Sequence, residues 1–171
     1  ISESTPIGYD ASTCILFVDG LRYDLGRRLG ALLEVLGLVT LASMWSALPS
    51  VTAVGKYASS PIGHELGGFL DEGEPVAASL DGTKLNPARF KSLLADRGFE
   101  VLDSTGTGDP LGKAWTEFGD IDRKGHNGGA KLAREIDGLL AEIVERVEER
   151  IEVVVLDDEH LVFRPLGVVV G

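Results

Sequence analysis

Asp122 and His126 could present two ligands to one metal ion, because a D-x-x-x-H spacing separates them within residues 115–126. Imidazole together with carboxylate suits Zn²⁺, and Mn²⁺ is the alternative ion. Either Asp120 or Glu117 could orient one of these ligands through a hydrogen bond. The same spacing is a common coincidence in unrelated chains, so a metal site here depends on donors from other parts of the sequence.

A further carboxylate, that of Asp19, directly follows the continuous apolar run at residues 14–18 and precedes Gly20. The run predicts a buried strand, so the carboxylate would project from the tip of that strand into a cleft. The alternative is an ordinary Asp-Gly turn, which is the commoner interpretation of an isolated instance.

Thr52 lies at a predicted helix start, shortly after Pro49 and Ser50. Its hydroxyl could act as a nucleophile, because the N–H groups and the dipole at a helix N-terminus favour phosphate. Such a hydroxyl needs a metal ion or a base to become an alkoxide. Lys56, one turn later, could bind a phosphate oxygen. In the alternative interpretation, Ser50 and Thr52 cap the helix and Lys56 is a solvated lysine.

A third group of donors, Asp157, Asp158 and His160, follows the apolar run at residues 152–156. Side chains at the exit of this predicted strand could complete a second metal position. An acidic turn with an exposed histidine is the alternative. The remaining histidine, His64, is interpreted as structural.

Short apolar strands alternate with helical patterns along the chain. The predicted strands are residues 14–18, 38–41, 99–102 and 152–156, and the predicted helices are residues 21–36, 52–59, 86–97 and 129–150. Residues 67–82 are predicted to form a surface loop or small cap, and residues 104–112 a loop. This alternation predicts an α/β domain whose sheet is largely parallel and flanked by helices, with functional residues beyond the carboxyl ends of the strands.

Length and composition limit what the chain could do. A chain of 171 residues fits one domain, and a net charge of −11 argues against broad nucleic-acid binding by this segment alone. The single cysteine, Cys14, cannot form an internal disulfide, which fits a reducing, cytoplasmic compartment. No apolar run is long enough to cross a bilayer. Because the sequence begins at Ile1 and ends on an apolar run, we expect a piece of a larger protein.

The order of these segments resembles the alkaline phosphatase superfamily and, more narrowly, the PglZ domain of bacterial BREX phage-defence systems. The most specific parts of the resemblance are residues 48–66, LPSVTAVGKYASSPIGHEL, and residues 115–134, WTEFGDIDRKGHNGGAKLAR. The match extends in order over most of the chain. It implies an alkaline-phosphatase-like core and a single PglZ-like domain over residues 1–171.

The resemblance also implies roles for particular residues. Asp19 and Thr52 would bind one metal ion, with Thr52 as the nucleophile, and Asp122 and His126 would bind the other. Asp158 and His160 are assigned as further ligands, although the superfamily usually has adjacent Asp and His at that point. The superfamily also uses a later histidine, and no histidine follows His160 in this sequence.

The function implied by the resemblance is metal-dependent hydrolysis of a phosphoester or phosphodiester in phage defence. Two Zn²⁺ ions would complete the site, with Mn²⁺ as the alternative. Lys56 is the candidate for contact with substrate because of its place one turn after Thr52. The substrate could be a nucleotide, a nucleic-acid phosphodiester or a phosphorylated small molecule, and the partners would be other BREX-type proteins. A catalytically incomplete scaffold domain is the main alternative. A phosphomutase of the same superfamily is a weaker one, since the PglZ-like segments speak against it.

Overall fold

The computed structural model describes residues 9, 12–37, 42–43, 51–128, 131–149, 153–156 and 161–162. The helices are α1 (Tyr23–Leu33), α2 (Thr52–Ser59), α3 (Pro87–Asp96), α4 (Ile121–Gly128) and α5 (Leu132–Glu148). The strands are β1 (Cys14–Phe17), β2 (Ala42–Ser43), β3 (Leu66–Asp71), β4 (Glu74–Ser79), β5 (Phe99–Leu102), β6 (Lys113–Glu117), β7 (Val153–Leu156) and β8 (Leu161–Val162). None of the helices in these ranges combines the length and the apolar character that crossing a membrane requires.

A four-stranded parallel sheet organises the chain in the order β5-β6-β1-β7. Strand β1 lies inside the sheet, where Phe17 is opposite Glu117 of β6 on one side and opposite Leu156 of β7 on the other. The three strands therefore end at the same edge. The predicted α/β fold with a parallel sheet flanked by helices is confirmed.

Both faces of β1 are covered, which explains why its sequence is continuously apolar rather than alternating. Cys14, Leu16 and Val18 pack in one cluster with the buried side of α1 and α5. Ile15 and Phe17 pack in a second cluster on the opposite face, together with residues of α2, β4, α3 and β6. At the centre of this second cluster Trp115 is fully buried, with its ring stacked on Phe17 at 5.9 Å between centroids.

The prediction of a surface loop for residues 67–82 was wrong. Strands β3 and β4 form an antiparallel hairpin there, and Glu72 and Gly73 make its two-residue turn with φ angles of 52° and 90°. Two positive φ values are typical of the primed turns that fit the twist of a hairpin. The glycines and acidic residues that predicted a loop therefore belong to a turn and to an exposed strand. The predicted strand at residues 38–41 lies outside the described residues.

Residues 103–112 connect the parallel neighbours β5 and β6, and Arg146 of α5 stabilises this connection through hydrogen bonds. Its side chain is 4% exposed, and the guanidinium donates hydrogen bonds to the carbonyl oxygens of Gly106, at 2.7 Å, and Asp103, at 3.3 Å. The same group lies 5.9 Å from the centre of the Phe118 ring. Backbone N–H donors of Thr105 and Gly106, with the Thr105 hydroxyl, lower the pKa of the Asp103 carboxyl below its usual value.

We expect Arg146→Ala to lower the free energy of unfolding by about 2–4 kcal/mol, because two carbonyl groups of the connection lose a buried, charged donor. Arg134→Ala, an exposed arginine of the same helix, is the matched control and should leave stability nearly unchanged. Urea denaturation followed by circular dichroism measures both. Equal transition midpoints for the two variants would contradict the role given to Arg146.

Candidate functional site

Thr52 does not cap a helix but makes a side-chain contact with the residue at the exit of β1. It is the first residue of α2, and its Oγ1 donates a hydrogen bond of 3.0 Å to Oδ1 of Asp19. The capping position is occupied by Val51, which makes no side-chain cap hydrogen bond. The structure therefore places the predicted nucleophile against the predicted strand-exit carboxylate. Ser50 lies outside the described residues.

The exit of β1 is also in direct contact with the first turn of α4. The backbone N–H of Asp122 donates to the carbonyl oxygen of Asp19 at 3.3 Å. Between them Gly20 has φ +74°, and a Cβ atom added there would lie 2.8 Å from the Asp122 nitrogen. This close approach requires glycine for two reasons, the left-handed backbone and the lack of space. It brings the D-x-x-x-H segment to the side of Asp19.

Asp122 and His126 lie together on one face of α4, a helix that was not predicted from the sequence, because positions four apart are neighbours on a helix surface. The imidazole Nε2 is 3.3 Å from Oδ1 of Asp122. The Asp122 side chain is 39% exposed and the His126 side chain 78%, so this pair is open to solvent and to a ligand.

Lys56 lies one turn after Thr52 on α2 and points to the neighbouring strand. Its Nζ is 3.1 Å from Oε2 of Glu117 at the end of β6. The lysine side chain is only 18% exposed, so the solvated-lysine interpretation is wrong. Oε1 of the same glutamate accepts a hydrogen bond of 3.4 Å from Nε1 of Trp115.

A cavity of about 440 Å³ opens at this edge of the sheet. Its lining consists of Phe17, Asp19, Ser104, Glu117, Phe118, Gly119, Asp120 and Glu142. Four of these residues are carboxylates. Asp120 is paired with Arg123, whose hydrogen bonds hold the pKa of that carboxyl below its usual value. A phosphate group entering this cavity would be repelled unless cations offset the acidic lining.

The described donors fit a divalent cation in type. Carboxylate, imidazole and hydroxyl groups occur as two pairs, Asp19 with Thr52 and Asp122 with His126. Within the described ranges, however, no three His, Cys, Asp or Glu side chains form a single group that could hold a metal ion. Each pair therefore supplies only part of a coordination shell.

The other predicted ligands, Asp158 and His160, lie outside the described residues. The described strand before them, β7, ends at Leu156, which is paired with Phe17 beside the exit of β1. The two residues predicted to orient metal ligands have other partners, since Asp120 pairs with Arg123 and Glu117 with Lys56. His64 was interpreted as structural. Its Nε2 lies 3.4 Å from Oε1 of the adjacent Glu65.

No family model, curated protein or solved structure matches this chain. The PglZ resemblance therefore stays a prediction. It is based on residues 48–66 and 115–134, and the contacts described above are independent of it.

Five cavity residues were missed as site residues: Phe17, Ser104, Phe118, Gly119 and Glu142. Glu142 follows the pattern of an exposed helix position, and only the packing of α5 on the sheet brings it to the cavity. Ser104 lies two residues after the end of β5, and Phe118 follows β6 directly. Recognising β6 as a strand would have placed Phe118 at the functional edge, but its sequence KAWTE lacks a long apolar run.

We expect Gly20→Ala to destabilise the protein more than Gly98→Ala, by about 1–3 kcal/mol in the free energy of unfolding. Both alanines adopt a left-handed backbone, with φ near +74° and +80°, but no atom lies within 4 Å of a Cβ at Gly98. The difference therefore measures the close approach to Asp122. Chemical denaturation of both variants provides the comparison, and equal losses would show that the two segments do not touch.

Proposed function

We propose that this chain is a metal-dependent phosphoester or phosphodiester hydrolase with Thr52 as its nucleophile. One observation carries the proposal: the Thr52 hydroxyl lies 3.0 Å from the Asp19 carboxylate at the start of α2. A hydroxyl, a carboxylate and a helix N-terminus thus meet at the carboxyl edge of a parallel sheet. Such edges are where α/β proteins commonly bind ligands.

The chain's own residues can prepare the displacement at phosphorus. Asp19 accepts the hydrogen bond of Thr52, so it fixes the orientation of the hydroxyl and lies where it can receive the hydroxyl proton. The N–H groups and dipole of α2 favour a phosphate at the same end of the helix. Lys56 would contact a phosphate oxygen on the same helix face.

The proposed ligands of one metal ion are Asp19 and Thr52, and those of a second are Asp122 and His126. By the resemblance, Asp158 and His160 add further donors. Bound Zn²⁺ or Mn²⁺ would make the hydroxyl more acidic and offset charge on the leaving oxygen. The acidic cavity supports this part of the proposal, because an anionic substrate needs cations there.

The biological setting is proposed from the resemblance alone. The PglZ-like segments favour a role in BREX-type phage defence, with other proteins of such a system as partners. The substrate class stays open among nucleotides, nucleic-acid phosphodiesters and phosphorylated small molecules.

A catalytically incomplete scaffold domain is the second candidate. It is favoured by the high exposure of His126, at 78%, and by the pairing of donors in twos in the part of the chain that the structure describes. Catalytic metal sites usually have three protein ligands. A scaffold would keep the fold and the polar contacts but show no turnover.

Hydrolysis of p-nitrophenyl phosphate and bis-p-nitrophenyl phosphate, with added Zn²⁺ or Mn²⁺, distinguishes the two candidates. We expect turnover by the wild type, a loss of roughly a thousandfold or more in Thr52→Val, and partial retention in Thr52→Ser. A chelator should abolish the reaction. Thr52→Val has nearly the same volume as threonine, so its loss of activity would not reflect packing.

Two results would count against the hydrolase. Wild-type rates in Thr52→Val would show that Thr52 is not the nucleophile. No turnover with either substrate and either metal would favour the scaffold.

A further inference from the structure

We infer that Glu117 is a positioning residue that holds Lys56 for contact with the phosphate of the substrate. The inference deepens the proposed function and rests on it for the identity of the anion. It concerns how Lys56, which is paired with Glu117 of the lining, would bind an oxyanion beside a cavity that four carboxylates line.

Glu117 is fixed through both of its carboxylate oxygens. Oε1 accepts the indole N–H of Trp115 at 3.4 Å, and Oε2 lies 3.1 Å from the Lys56 ammonium. Trp115 is fully buried between Phe17 and Phe90. The rigid core therefore sets the location of the carboxylate, and the carboxylate sets the location of the ammonium.

Lys56 and Thr52 are separated by one helical turn, so their side chains lie on the same face of α2. This face makes two polar contacts with neighbouring strands, Thr52 with Asp19 after β1 and Lys56 with Glu117 at the end of β6. Phe17 and Glu117 are directly opposite in the sheet, which places both contacts at one edge. The lysine is thus held beside the proposed nucleophile.

Pairing with Glu117 leaves the ammonium able to bind an anion. A lysine ammonium carries three N–H donors, and a contact with Oε2 uses one of them. Its location over the Tyr57 ring, 5.5 Å from the ring centre, further limits its movement. A phosphate oxygen is the ligand we assign to the remaining donors, because charge-assisted bonds between ammonium and phosphate are strong.

The inference makes a prediction that charge alone does not. If Glu117 were only a negative charge in the cavity, its removal would strengthen the binding of phosphate. If Glu117 positions Lys56, its removal should weaken binding, since the ammonium loses its fixed location. Glu117→Asp keeps the charge and withdraws the carboxylate, so it should also weaken binding.

Inorganic phosphate, without metal, is the probe, so that Lys56 and not a divalent cation is the positive charge whose contribution the binding measures. Binding is followed by the indole N–H resonance of Trp115 in two-dimensional NMR, and Trp45→Phe assigns it because the chain has two tryptophans. We expect a saturable shift in the wild type and affinity roughly tenfold lower in Lys56→Gln. Glu117→Gln and Glu117→Asp should each weaken binding by roughly three- to tenfold, and Glu117→Gln should not weaken it further once Lys56 is Gln.

Glu142→Gln is the matched control, because Glu142 lines the same cavity from α5. This variant should bind phosphate slightly more tightly than the wild type. Tighter binding in Glu117→Gln as well, or no effect of phosphate on the wild-type Trp115 resonance, would overturn the inference. A dispersed spectrum for each variant shows that it is folded. If Glu117→Gln does not fold, Glu117→Asp still tests the positioning of Lys56.

The titration involves no turnover, so its result is separable from that of the hydrolysis assay. The expected double-mutant pattern without hydrolysis would reject the hydrolase and keep the phosphate site. Hydrolysis that depends on Thr52, without this pattern, would keep the hydrolase and reject the role of Glu117.

Discussion

The parallel pairing of β1 with β6 and β7 is the constraint on which the candidate site depends. It sets Phe17 opposite both Glu117 and Leu156, so that three strands end together. Burial of β1 on both faces stabilises this arrangement, since each face of the strand packs against its own cluster. Asp19 after β1 and Asp120 after β6 therefore lie at one edge of the sheet, where both line the same cavity.

Helices bring the remaining chemistry to that edge by short, specific contacts. The first residue of α2 reaches Asp19 through its hydroxyl, and the first turn of α4 reaches the same residue through a backbone N–H. Because the resulting cavity is acidic, the charge of any anionic substrate must be offset there. Lys56, which is paired with Glu117 of the lining, is the proposed source of one such charge, and divalent cations are the proposed source of the others.

Local signals in the sequence were sufficient for much of the fold. The apolar run before Asp19 predicted β1, and Asn86 with Pro87 predicted the start of α3, where the Asn86 side chain accepts the N–H of Arg89. The hairpin and β6 were not found, because glycine and charge mask their strand patterns. For the site, spacing predicted the Asp122–His126 pair, but the partner of Lys56 and the place of Glu142 depend on tertiary packing that no local pattern encodes.

Calorimetric titration with Zn²⁺ tests most directly whether the edge around Asp19 is a metal site. We expect saturable binding by the wild type. In Asp19→Asn and in Asp122→Asn the affinity for Zn²⁺ should fall by roughly tenfold or more. Asp137→Asn, which alters an exposed carboxylate of α5, should bind like the wild type. Binding that is absent in the wild type, or equal in all four proteins, would contradict the account.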